Sequence, residues 1–324
     1  KQEEAADKAN NFGSKASAAF VAAGDALVAA GLTVGLKKIA DAYGEATEAS
    51  MVFESAMTGV AKTTDMSDEE LAAMSQQIKD MSTDIPIVTE ELAGIGEVAG
   101  QLGIAKENLM DFSEVMAMLA TATTMTAEEG ATMLAQFANI TQMDPTYYSN
   151  LASAVVNLGN SYATTEQKII DMAQGIAASA SLAGMSEADM LGLSAAVTSL
   201  GIETQAGSTS MSKLIQELMT AVETGENLNE FARIANMSAE DFSKAWGDNA
   251  VTALQAFVLG LSDTARNGKS ATVALTELGI TETRMQRMIL SLSNSGDLMN
   301  RTLATSAQGW AENTALVKEA NLRY

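Results

Sequence analysis

The chain has 324 residues, 47% of them hydrophobic, with a net charge of −22 and neither histidine nor cysteine. Lacking both residue types, it can build no disulfide, no thiolate or imidazole zinc site, no Ser-His-Asp triad and no Cys-His dyad. The length supports a sizeable core, built mainly from Ala, Met, Leu and Gly because aromatic residues are only 5% of the chain.

Only Pro86 and Pro145 interrupt helix formation, and apolar residues recur at three- and four-residue spacing almost throughout. The expected fold class is all-α, with long N-terminal helices followed by a bundle or array of short antiparallel helices. The pattern predicts helices over 2–30 and 36–60. Within them Ala16–Leu36 carries one charge, Asp25, and three glycines, Gly24, Gly31 and Gly35. The Gly31-x-x-x-Gly35 spacing lets helices approach closely. The stretch has the roughly twenty-residue length of a membrane span. It is mostly Ala and Gly, however, and Asp25 inside a bilayer would cost about 3 kcal/mol. The favoured reading is a helix–helix interface with Gly24, Gly31 and Gly35 as candidate contacts. The alternative is a membrane-active, pore-forming helical protein using residues 16–36.

Short helices are expected near 67–81, 89–102, 106–123, 127–140, 146–158, 165–182, 187–199, 208–223, 228–236, 239–261, 270–278, 282–293 and 297–322. Ser67 with Glu70, Thr126 with Glu129, and Thr164 with Gln167 fit the capping box, and Ser186, Ser238 and Thr281 stand where N-caps are expected. A weak repeat relates Gly103–Ser113 to Gly184–Ser194, with fragments at Asn236–Phe242 and Gly279–Met285. Each reads as a Gly- or Asn-ended helix, a two-residue link, a cap and an acidic first turn. Any protein of helical hairpins yields such punctuation, so duplication of a helix pair competes with a plain hairpin bundle.

The negative charge is uneven along these elements. Between Glu107 and Ser212 the only cation is Lys168, against eleven carboxylates. Such a surface repels phosphate, and tight nucleic-acid binding is not expected. Ser262–Tyr324 is nearly neutral, with seven cations and six anions. The chain starts at Lys1 without a signal-peptide pattern and reads as part of something longer.

Motifs that suggest chemistry have plainer explanations. Gly268-Lys269-Ser270 resembles the end of a phosphate loop, but the position needing glycine is Asp263, and no strand precedes it. The glycines of Gly94–Gly100 are wrongly spaced for a dinucleotide fingerprint and suit close helix packing. Glu69-Glu70, Glu90-Glu91 and Glu128-Glu129 fall in first turns, where the helix dipole favours anions. Met110, Met133, Met172, Met190 and Met211, and Phe53, Phe112, Phe137, Phe231, Phe242 and Phe257, sit at core spacing. Tyr147-Tyr148, after Pro145, serves either as a surface contact or as helix-start packing. No catalytic residue, cofactor or metal is expected. Three regions are: 1–60 as an Ala/Gly-rich stalk and interface, 61–296 as a helical core, and 297–324 as a C-terminal helix leading into a following region.

The order of segments resembles one known family. Ala49–Ala61, with Phe53-Glu54 and Met57, is similar to the stretch that ends a long helix in phage tail tape measure proteins. Val88–Leu92 through Gly100–Ile104 resembles that family's next helix and turn. Leu151–Asn157 resembles a stretch that often ends in Asp, where Asn157 stands here. Ala173–Ser181, Gly184–Asp189, Leu200-Gly201-Ile202, Ala206–Leu218 and Leu275–Ile280 follow in the family's order. The likeness spans roughly 45–290. It implies a structural protein of a phage, prophage or phage-like particle that sets tail length during assembly and leaves the tube during infection. It further implies synthesis in the bacterial cytoplasm and a place in the lumen of the tail tube. The implied partners are copies of itself as trimer or hexamer, the tube protein, baseplate or tail-tip hub proteins and assembly chaperones. It leaves transient contact with the host membrane open.

Overall fold

The computed structural model describes residues 50–85, 87–264 and 270–323. The expected helix over 2–30, most of that over 36–60, Gly24, Gly31, Gly35 and Lys269 therefore lie outside the described residues. Among the described residues the fold is all-α, with sixteen helices and no strand. They are α1 (50–63), α2 (Asp68–Asp84), α3 (Thr89–Gln101), α4 (Leu109–Ala122), α5 (Ala127–Thr141), α6 (Tyr148–Ser161), α7 (Glu166–Leu182) and α8 (Glu187–Ser199). There follow α9 (Thr204–Thr224), α10 (Leu228–Ile234), α11 (Ala239–Asp248), α12 (Ala250–Thr264), α13 (Ala271–Glu277), α14 (Thr283–Asn294), α15 (Leu298–Glu312) and α16 (Ala315–Arg323). Contacts divide the chain at 58/59, and Gly59–Tyr324 form one unit.

Helix starts follow side-chain chemistry. Ser67 with Glu70, Thr126 with Glu129 and Ser186 with Asp189 form reciprocal capping boxes, and the Ser238 side chain accepts from the Asp241 amide. Two expected caps move. The cap of α7 is Thr165; the Thr164 hydroxyl instead donates to Thr198 Oγ1 at 2.8 Å. Helix α14 starts after Glu282 rather than Thr281, and the Glu282 carboxylate holds Lys213 instead of capping. Ser186→Ala is expected to cost about 1 kcal/mol in urea unfolding, whereas Thr281→Ala should leave the midpoint nearly unchanged.

Helix ends share a second device. Ile104, Met143, Met185, Met237 and Ile280 each donate their amide to the carbonyl five residues back, at 2.9–3.0 Å. The residue before each one, Gly103, Gln142, Gly184, Asn236 or Gly279, has positive φ. This left-handed stop turns the chain and returns an apolar side chain to the helix it has just left.

Three expected boundaries change. Helix α9 starts at Thr204 rather than 208, because the Glu203 carboxylate accepts from the amides of Gln205 (3.2 Å) and Ala206 (2.9 Å). The expected 239–261 helix breaks at Asn249, which is extended and accepts the Val251 amide on its side-chain oxygen at 3.0 Å. The expected 297–322 helix breaks at Asn313, at φ 47°. Asn249 offers the backbone a local alternative to the helix, whereas Asn313 ends its helix by adopting the left-handed conformation that asparagine tolerates.

Helices α3, α5, α7 and α9 begin at 89, 127, 166 and 204, and α4, α6 and α8 at 109, 148 and 187, so both sets recur every 38 or 39 residues. Each helix of the first set packs on the next, α3 on α5, α5 on α7 and α7 on α9; in the second set α4 packs on α6 and α6 on α8. The result is two rows of helices joined by successive hairpins. Burial follows the same period. Gly130, Ala131, Met133, Leu134, Phe137 and Ala138 of α5 are buried, as are Ile169, Ile170, Met172, Ala173, Ile176 and Ala177, 39 residues on in α7. The expected likeness of Gly103–Ser113 to Gly184–Ser194 thus spans two repeats. The turn of the repeat between them, Gln142-Met143-Asp144-Pro145, has no glycine to mark it.

Helices α10–α14 follow the last repeat, with α14 against α9 and α12. The chain then returns along the second row. Helix α15 packs on α8 and α6, and α16 on α6 and α4. Of residues 297–324, set apart in the sequence reading, the described part, 297–323, thus supplies a strap over the α4–α6–α8 row.

Candidate functional site

The groups singled out from sequence do not converge on a cleft. Glu70 closes its capping box and pairs with Lys106 at 2.7 Å, which holds its carboxyl below the usual range. Glu129 likewise serves a capping box. Asp144 is held low by the amide and hydroxyl of Thr146 at the start of the turn Pro145–Tyr147. These two lowered carboxyls, Glu70 and Asp144, favour the fold above their unfolded pKa, and that contribution is lost as pH falls through their folded values. Asp171 is exposed by surface area, but desolvation by the protein around it pushes its carboxyl up, so it opposes folding from its unfolded pKa upward. Among the described residues no group of three or more Asp, Glu, His or Cys could hold a metal ion, and no helix is long and apolar enough to cross a membrane.

Gly96 and Gly100 act as spacers. An added Cβ on Gly96 would meet Met74 Cε at 2.7 Å, and one on Gly100 would meet Thr64 Cγ2 at 2.9 Å. The six phenylalanines are buried, as are Met133, Met172, Met190 and Met211; Met110 is half-buried. The two tyrosines separate. Tyr148 is 5% exposed, packs edge-on against Phe112 at 4.8 Å between centroids, and has its hydroxyl pushed up by burial. It is a core residue, not a surface contact. Tyr147 is 47% exposed and leans on Trp310 at 5.9 Å. Of the two tyrosines it is the one that faces outward.

Two surfaces remain. One is acidic: Glu107, Asp111, Glu114, Glu128, Glu129, Asp144, Asp171 and Glu203 are all exposed, with Lys168 the only cation in the same stretch. The other is the seam beneath the strap, which sequence reading missed. Asn150 donates to the Trp310 carbonyl at 2.8 Å and Asn157 to the Thr305 carbonyl at 3.1 Å. Ser306 donates to the Ala188 carbonyl at 2.6 Å, Ser153 accepts the Leu316 amide at 3.3 Å, and the Tyr162 and Thr305 hydroxyls meet at 2.8 Å. A Cβ on Gly192 would lie 2.8 Å from Leu303 Cα, too close for any side chain, and one on Gly309 would lie 3.1 Å from Ala154 Cα, a tight fit that only a small shift of the helices would relieve. The signal in the sequence is the i, i+3, i+7 spacing of polar residues on α6, which puts Asn150, Ser153 and Asn157 on one face.

Asn157 occupies the position where the resemblance leads one to expect Asp, and its amide donates to a carbonyl oxygen. A carboxylate there would face that oxygen instead. Asn157→Asp is therefore expected to cost about 1–2 kcal/mol at pH 7. The loss should shrink below about pH 4, where the acid regains a proton to donate; paired urea titrations at the two pH values measure this.

Fold and surfaces together define an acidic array of stacked helical hairpins, tied by polar and small-residue contacts. The chain belongs to the phage-related minor tail protein family, which it matches over residues 75–245. The match runs from α2 into α11 and takes in all the hairpin repeats. It assigns the chain a structural role in a phage tail. No curated protein and no solved structure matches it.

Proposed function

We propose that this chain is the folded helical part of a tail tape measure protein. In this reading it occupies the lumen of the tail tube, sets tail length during assembly and leaves during infection, without a catalytic role. The observation that carries it is the ordered series of tape-measure-like segments over 45–290, whose turns coincide with helix ends: Gly103, Gly184, Gly201 and Gly279 all have positive φ. The acidic surface supports it further, since a protein sharing a tube with DNA has to avoid binding it tightly. Its partners would be further copies, the tube protein, the baseplate or tail-tip hub and assembly chaperones. Residues 16–36 are the segment that would make any transient contact with the host membrane.

The test duplicates or deletes one repeat, residues 127–165, in the native gene and measures tails by electron microscopy. Folded hairpins stack about 10 Å apart, and the same residues drawn out as one helix rise about 1.5 Å each, so the change is expected to lengthen or shorten the tail by about 10–60 Å. Normal tails of unchanged length from both variants would sink the reading. Robust insertion of a 1–60 peptide into liposomes, with tail length unaffected, would favour a membrane-active protein.

A further inference from the structure

We infer that α15–α16 is a releasable clasp, which opens as a unit while the hairpin rows beneath it stay folded. The inference rests on the seam and not on the tape measure reading. The buried stripe of α15 is Met299, Thr302, Ser306 and Gly309, so it offers one large apolar side chain in four. The buried stripe of α5, within the rows, includes Met133, Leu134 and Phe137. Holding strength scales with apolar area removed from water, and beside Met299 the α15 face brings part-buried Leu303, against Gly192, and part-buried Trp310, against Tyr147. The rest of the seam is held by hydrogen bonds from Asn150, Asn157 and Ser306 to backbone carbonyls, each joining residues 118–160 positions apart. When such a seam opens, water replaces these partners at small net cost. The rows have no such escape, because separating α5 from α7 would expose Phe137, Ile176 and their neighbours, all fully buried.

The connections favour opening as one piece. The clasp joins the rest through Ser295-Gly296-Asp297, with Gly296 at φ 68°. Its far end, α16, is held by Leu316 and Ala320, its two buried residues. Residues 298–323 carry three cations and two anions, whereas α4, α6 and α8 together carry four anions and no cation. Arg301 pairs with Asp297 at the edge of this segment and Arg323 with Glu319 inside it, so its attraction to the acidic row is weak, and salt weakens it further. Opening bares Asn150, Ser153 and Asn157 of α6 and Gly192 of α8, and frees part of the nearly neutral C-terminal stretch of an acidic chain.

Hydrogen exchange followed by mass spectrometry on the full chain tests this. Amides of 298–323 are expected to exchange together, at least about tenfold faster than those of α5 and α7. Raising salt should widen the gap. Gly309→Leu, which wedges α15 away from Ala154, should speed exchange in 298–323 by a further tenfold or so and leave α5 and α7 unchanged. Exchange of 298–323 in step with α5 and α7 in the unmodified chain would overturn the inference, whatever the variant does.

Discussion

Phe112→Ala is expected to lower the unfolding free energy by about 3–5 kcal/mol, read as a shift of the urea midpoint at unchanged slope. Phe112 is fully buried on α4 and meets Tyr148 of α6 edge to face at 4.8 Å. It thus fills the core of one helix and joins it to the next in its row. Truncation removes the transfer energy of the ring and the aromatic contact, and leaves a cavity. The surrounding core is rich in Ala, whose short side chains cannot reach into the space. Met116, one turn along and also fully buried, is a flexible neighbour on that helix face able to move inward, which argues for the lower half of the range. Tyr147→Ala is the control. Half exposed and leaning on Trp310, Tyr147 should cost less than about 1 kcal/mol on truncation. Equal effects at the two positions would contradict the division of the tyrosine pair into a core and a surface residue.

Gly260→Ala is expected to destabilise by about 3 kcal/mol, against the sign that helix propensity predicts. In an isolated helix, replacing a central glycine by alanine gains about 1 kcal/mol. Gly260 lies on α12 where that helix crosses the end of α10, and an added Cβ would run into the carbonyl oxygen of Ile234 and come within 2.8 Å of its carbon. Both atoms are backbone, so no rotamer change relieves the clash; the two helices must part. Phe231 and Phe257, whose rings meet at 5.1 Å, join the same two helices and would be pulled apart with them. Gly247→Ala supplies the contrast, because its Cβ would meet nothing within 4 Å. Calorimetry or urea unfolding of both variants should give opposite signs. A stabilised Gly260→Ala would show that α10 and α12 do not approach as described.

The clasp and these two sites differ in kind. Phe112 and Gly260 sit in contacts that the fold cannot lose without exposing aromatic rings. The seam under α15 is made of groups that water serves almost as well.

Much of this was legible in the residues alone. The three- and four-residue spacing of apolar positions and the scarcity of proline dictate helices. Ser67, Thr126, Ser186 and Ser238 mark their starts, because a hydroxyl at that position satisfies amides no helical carbonyl can reach. The exclusion of imidazole and thiol chemistry and the cation-poor stretch are properties of composition, and folding leaves them as they are. What only the tertiary structure decided was the period. Leu92, Gly130, Ile169 and Gly207 occupy equivalent buried positions in α3, α5, α7 and α9. A row of packed helices constrains the volume shared by neighbours rather than each side chain, so a glycine on one helix is matched by an isoleucine on the next and no residue identity survives to be read. The strap was hidden for a related reason. Its Thr, Ser and Gly stripe looks like a solvent-facing surface until Asn150 and Asn157, about 150 residues earlier in the chain, come to lie against its carbonyls.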